Sequence, residues 1–292
     1  MLKSIPGTQN LGIRLRGHFV PHGHFYSPIP DFLDVAKRAD GLFSRDIDSI
    51  PGVDLRTDDQ KALLEKYAPY GAEFPFPDTP QDRFRYYVKN IFFERGDGLG
   101  LYCALRHFKP KRVVEVGSGF SSALMLDTND LFLDGSARFT FVEPYPDRLN
   151  PLLRPTDRDR ATLLQRYVQD VPSATFEQLE AGDILFIDSS HVSKIGSDLN
   201  HLMFNVLPTL KPGVLVHFHD IFWPFEYPRN WVLEQRRAWN EPYLLRAFLM
   251  YNSEFQIVFF NDYLACRFPD LLKQHMPGMA QHPGGSIWLT RK

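Results

Sequence analysis

A chain of 292 residues with 43% hydrophobic and 23% charged side chains has the composition of a globular protein, which excludes a disordered or fibrous one, and its length suits one elaborated α/β domain. Net charge is only −2, and the richest basic clusters, Lys109 to Arg112 and Arg154 to Arg160, are short and diluted by Asp157 and Asp159, so no nucleic-acid partner is expected. Two distant cysteines, Cys103 and Cys266, exclude a zinc or disulfide framework and fit a reducing cytoplasm. Neither a signal peptide in MLKSIPGTQN nor a long apolar run is found, so neither export by that route nor a membrane partner is expected.

Residues 1–85 are broken repeatedly by proline, as in VPHGHFYSPIPD and EFPFPDTPQD, which leaves room for short helices at Asp31 to Arg38 and Thr57 to Tyr67. This stretch reads as a helical and irregular cap on a domain spanning 86–292. A helix from Gly98 to Phe108 leads into an apolar strand at Arg112 to Val116, and alternation begins there. Further strands are expected at Arg138 to Val142, Ala161 to Val168, Asp183 to Ile187 and Gly213 to Phe218. Helices are expected between them at Ser121 to Leu133, Thr175 to Leu179 and Lys194 to Leu207. A helix over Asn230 to Tyr251 and strands at 255–261 and 286–291 close the chain. The pattern predicts a Rossmann-like, doubly wound, mostly parallel sheet of seven strands with an antiparallel hairpin on its edge.

Chemistry concentrates in VVEVGSGFSS, at 113–122, where a buried strand passes through a glycine turn into a helix. Gly117 allows the tight turn, Gly119 lets a ligand approach the backbone, and the helix N-terminus offers free N–H groups. Glu143 closes the next strand, where a carboxylate can accept both hydroxyls of a ribose. Ser122 occupies the place of a third glycine and Glu115 puts an acid before the turn, which disfavours a pyrophosphate and favours a ligand bearing an ammonium and a sulfonium.

These segments, EVGSGFSS, FVEP, DILFIDSSH and LKPGVLVHFHDI, resemble the successive motifs of class I methyltransferases that use S-adenosylmethionine (SAM). With FYSPIPD, HFHDIFWPFEYP and GGSIWL they resemble more narrowly the bacterial methyltransferase family 24 group. The resemblance implies that Glu115, Gly117, Ser118 and Gly119 underlie the methionine part of SAM and that Glu143 holds its ribose. It further implies that Asp170 contacts adenine and that Asp188 and Ser189 meet the cofactor beside the acceptor.

Methyl transfer to a hydroxyl of a small molecule needs a base, and His191, His219 and Asp220 stand at expected strand ends, with His217 deeper and expected to be structural. Asp188, His191, His219 and Asp220 are also types that bind divalent ions, so a metal-assisted transferase or a metal-dependent hydroxylase-like enzyme is an alternative, as is a SAM-binding protein without catalysis. Trp223, Phe225, Tyr227, His22, His24, Phe25 and Tyr26 are expected to wall an acceptor pocket, and Asn90 is expected near the cofactor's amino-acid end. An oligomer is compatible with these features.

Overall fold

The computed structural model describes residues 19–292, so the expectation for MLKSIPGTQN and the start of the cap lie outside the described residues. In chain order the elements used below are helices α1 (Phe32–Lys37), α2 (Thr57–Ala72) and α3 (Arg95–Phe108), strand β1 (Arg112–Val116), helix α4 (Phe120–Phe132) and strands β2 (Arg138–Val142), β3 (Ala161–Leu164), β4 (Ile184–Ile187) and β5 (Leu215–His219). They continue as helices α5 (Arg229–Leu233) and α6 (Glu241–Leu249), strand β6 (Phe255–Phe260), helix α7 (Asn261–Arg267) and strand β7 (Ser286–Arg291).

The seven strands form one sheet in the order β3-β2-β1-β4-β5-β7-β6. The first five are parallel, while β7 runs antiparallel to both β5 and β6. Every residue of β4 and β5 is buried, the apolar ones and His217 and His219 alike, as in strands covered on both faces. This is the Rossmann-like arrangement with a reversed edge pair. The reversed strand β7 lies inside its partner β6.

Contacts divide the chain into two compact units. The larger comprises Arg45–Glu226 and Trp239–Lys292. Within it, Leu63, Leu64 and Tyr67 of α2 are buried, and the Tyr67 ring lies 5.3 Å from that of Phe259 in β6. Gln60 of the same helix accepts from Phe260 N at 2.8 Å. The smaller unit joins the described part of the first 44 residues to Tyr227–Ala238. There Asp31 caps α1 by accepting from Leu33 N at 2.9 Å, and the Arg236 guanidinium lies 4.8 Å over the Phe32 ring.

A buried ion network braces α4. The Arg85 guanidinium, 2% exposed, reaches Asp127 of α4 at 2.6 Å and Asp157 at 2.6 Å. Asp127 also accepts from the backbone N–H groups of Arg85 and Tyr86. The segment before α3 is thereby tied to α4. Among the described residues, no helix is long and apolar enough to cross a membrane.

Candidate functional site

The carboxyl ends of β1, β2 and β4 meet around one cavity of about 390 Å³. Gly117 makes their approach possible. Its φ is +85°, and a Cβ there would lie 1.7 Å from the carbonyl oxygen of Asp188, so no other residue fits. Gly117 N donates to Val142 O at 3.0 Å and Asp188 N to Val116 O at 2.9 Å, drawing the three strand ends together.

Glu143 stands at the cavity wall with both carboxylate oxygens fixed by the backbone. Oε2 accepts from Ser118 N at 3.1 Å and Oε1 from Tyr145 N at 2.8 Å. Each oxygen keeps a lone pair for a further donor, which suits a diol. Tyr145 and Tyr167 flank the cavity, their hydroxyls 2.5 Å apart. The opposite wall is the 190–198 loop, held by Ser190 Oγ donating to Asp198 at 2.5 Å and by Gln169 Nε2 donating to Gly196 O at 2.8 Å. Asp188 and Ser189 line the inner end, and the Ser189 hydroxyl is buried without a hydrogen-bond partner. A nucleoside fits these donors and acceptors, and the volume lies in the range of about 300–1,000 Å³ usual for small-molecule sites.

Other expected cofactor residues sit elsewhere. Glu115 is fully buried, and its carboxyl accepts from the Ser121 hydroxyl at 2.5 Å and from that of Ser122. Burial pushes it up to about 8 despite these serines, so it holds the first turn of α4 and is a weak source of the negative charge expected beside the glycine turn. Ser122, in the third-glycine place, also accepts from Gly119 N at 3.0 Å and so caps that turn. Gly119 itself is extended, and a Cβ there would meet the flexible Arg148 side chain at 2.9 Å. Asp170 is exposed and does not line the cavity; Tyr167, Val168 and Gln169 do. The displacement arises because β3 ends at Leu164, after which the chain leaves the sheet and turns tightly through Val168–Asp170.

The expected catalytic residues do converge. His191 Nε2 lies 3.5 Å from Asp188 Oδ1 and 3.6 Å from Asp220 Oδ2, and His219 Nε2 lies 3.6 Å from Asp220 Oδ1. His191 Nδ1 faces Glu241 Oε2 at 2.7 Å. Burial penalises the His191 imidazolium, but Asp188 and Glu241 outweigh it and raise its pKa well above the ordinary histidine value. His219 is raised too, burial being overcome by Asp188, Asp220 and Asp97. His217 stacks on Phe186 at 3.9 Å, and burial together with His219 holds its pKa well below the ordinary histidine value. His191 and Asp220 both adopt left-handed backbone, at φ 59° and 56°, a conformation disfavoured outside glycine and frequent at functional sites. Among the described residues, no group of three or more His, Cys, Asp or Glu is arranged to hold a metal ion.

Residues 114–221 match the methyltransferase domain of methyltransferase family 24. That segment, running from within β1 to just past β5, is a methyltransferase domain. An uncharacterized protein of Archaeoglobus fulgidus is 38% identical over 168 residues, which span 56% of this chain and 75% of the relative. Among solved structures, the methyltransferase of Podospora anserina bound to S-adenosylhomocysteine (SAH) is 16% identical, with 91% of this chain and 99% of that chain covered at a TM-score of 0.45. An O-methyltransferase from Bacillus cereus in complex with SAH is 12% identical, with 89% and 97% covered at a TM-score of 0.41.

Several polar groups of this chain were not anticipated from its sequence. Glu241 opens α6 and is 1% exposed beside His191, a position hidden by reading 230–251 as one helix. Asp97, buried in α3, accepts from Gly285 N at 3.1 Å, and burial pushes its carboxyl up to about 6 within the field of His219 and Asp220. The Asn90 amide is spent locally, donating to Tyr87 O and Phe93 O and accepting from Phe92 N and Phe93 N. Trp223 and Phe225 are buried in packing, 4.8 Å from the Tyr263 ring and 5.5 Å from the Phe260 ring. Tyr227, His24, Phe25 and Tyr26 belong to the smaller unit, where His24 stacks on Phe25 at 4.2 Å.

Proposed function

We propose that this chain transfers the methyl group of SAM to a small-molecule acceptor, with a hydroxyl oxygen as the acceptor atom. The observation that carries the reading is the Glu143 carboxylate, pinned by two backbone N–H groups at the cavity wall with lone pairs left for both ribose hydroxyls. Bound SAM supplies an electrophilic methyl on a sulfonium, which becomes a neutral sulfide once the methyl has left.

The chain's own residues supply position, charge and a proton acceptor. Gly117, Glu143 and the wall from Tyr167 to Gln169 seat the nucleoside. Asp188, held below the ordinary carboxylate range because His219, His191 and Arg148 outweigh its burial, stays ionised and favours the cationic end. His191 accepts the hydroxyl proton at Nε2, while His219 and Asp220 border the same space. The surrounding carboxylates make the His191 imidazole a stronger base than a free one, which suits a weakly acidic hydroxyl. The same carboxylates repel an anionic acceptor.

Calorimetry of the metal-stripped protein with SAM and with NADH tests the cofactor half of this reading. SAM binding alone is expected, and an absence of SAM binding would sink the proposal. A panel of phenols, alcohols and amines, read by SAH release with and without Mg²⁺, then tests the acceptor atom and the metal requirement. Turnover confined to amines would overturn the hydroxyl assignment.

A further inference from the structure

His191 is held from two sides by a single dipeptide. Its carbonyl oxygen accepts from Asn240 N at 3.1 Å and from Glu241 N at 3.2 Å, while its ring Nδ1 faces the Glu241 carboxylate at 2.7 Å. The Asn240 side chain extends the grip two residues on, accepting from Ser193 N at 2.6 Å and donating to Ser193 O at 3.1 Å. The Trp239 ring lies 4.5 Å from the imidazole. A left-handed residue that is not glycine persists only where its surroundings fix it, and this clamp does so.

The Glu241 carboxylate is 1% exposed; its Oε2 faces His191 Nδ1, and its Oε1 is buried without a hydrogen-bond partner. A buried acid in contact with one ring nitrogen dictates which nitrogen carries hydrogen, because a carboxylate only accepts. We infer that Glu241 is a positioning residue that holds neutral His191 as the Nδ1–H tautomer and aims its bare Nε2 at the space between Asp188 and Asp220. This deepens the proposed function, since it rests on His191 acting as the base, and it assigns Glu241 no contact with either substrate. When the acceptor proton moves to Nε2, the resulting imidazolium keeps its Nδ1–H on Glu241, so the charge formed is balanced where it forms.

The test is nitrogen NMR of the ¹⁵N-histidine-labelled full chain, with His191→Ala assigning the resonance and spectra taken on the alkaline side of its titration. The wild type is expected to favour Nδ1–H by about ten- to a hundredfold, the worth of one charge-assisted hydrogen bond. Glu241→Ala is expected to bring the two tautomers near parity. Glu241→Gln, which preserves volume and the backbone clamp, is expected to fall between them and serves if the alanine variant does not fold. A wild-type His191 found mainly as Nε2–H, or an unchanged ratio in the variants, overturns the inference. Calorimetry with SAM on the same samples keeps the cofactor reading separate, and turnover retained by His191→Ala would remove the base reading while leaving the tautomer result intact.

Discussion

At the scale of single residues, Glu143 and Gly117 act through different physics. Glu143→Ala removes an acceptor whose oxygens are already oriented, so SAM affinity should fall about tenfold or more in calorimetry with the fold intact. Gly117→Ala forces a Cβ against the Asp188 carbonyl at a left-handed position, and should cost about 2 kcal/mol or more in denaturant unfolding. His191 sets a pH dependence. Its raised pKa keeps it protonated at the acid side, so turnover should increase with pH through a limb lying above the ordinary value of 6.5. A limb at or below that value would speak against His191 as the base. Glu143, the glycine turn and the strand-end histidines were all legible in the sequence because each is fixed by local geometry. Glu241 was not, because its role depends on a contact across 50 positions of chain.

At the scale of elements, the strands that coincide with uninterrupted runs of strand-forming residues were the easiest to foresee. β1, β2 and β7 begin and end where their apolar runs do, whereas β3 stops at Leu164 because an edge strand has only one neighbour to extend it. The stretch 230–251 looks like one helix by periodicity, yet it forms α5 and α6 with a break between them. Pro242 marks the break, since proline is tolerated in the first turn of a helix and not in its interior. Respecting that rule would have put Glu241 at a helix start. The Arg85 network offers a test at this scale. Arg85→Met leaves Asp127 buried without its cation and Asp157 with Arg160 alone at 3.3 Å, and should destabilise the protein by about 3–5 kcal/mol in chemical denaturation.

At the scale of the whole molecule, two buried carboxyls tilt stability with pH in a direction opposite to that of most surface acids. Glu115 rises from 4.5 to about 8 and Asp97 from 3.8 to about 6 on folding, so the folded state holds protons that the unfolded chain has already released. Their contribution is fully present below the unfolded values and is lost as pH rises through the folded ones. Thermal or denaturant unfolding should therefore show stability declining between about pH 4.5 and 8. Glu115→Gln should flatten that decline, and an unchanged slope would show that Glu115 is ionised in the folded protein. The strand order was less accessible from sequence than the strands themselves. Both closing strands were foreseen, but nothing local in FQIVFF or SIWLTR states which of them lies against β5.

That order has a consequence for how the molecule is made. A ribosome releases β6 some 25 residues ahead of β7, yet β6 can join the sheet only through β7. Until Ser286–Arg291 arrive, an apolar strand waits with no ladder to enter while β5 presents an open edge. The nascent protein thus passes through an interval of exposed strand edges, the condition under which chains pair wrongly with one another. Chaperone dependence during synthesis, and aggregation of chains arrested before Ser286, follow from the threading of a single strand.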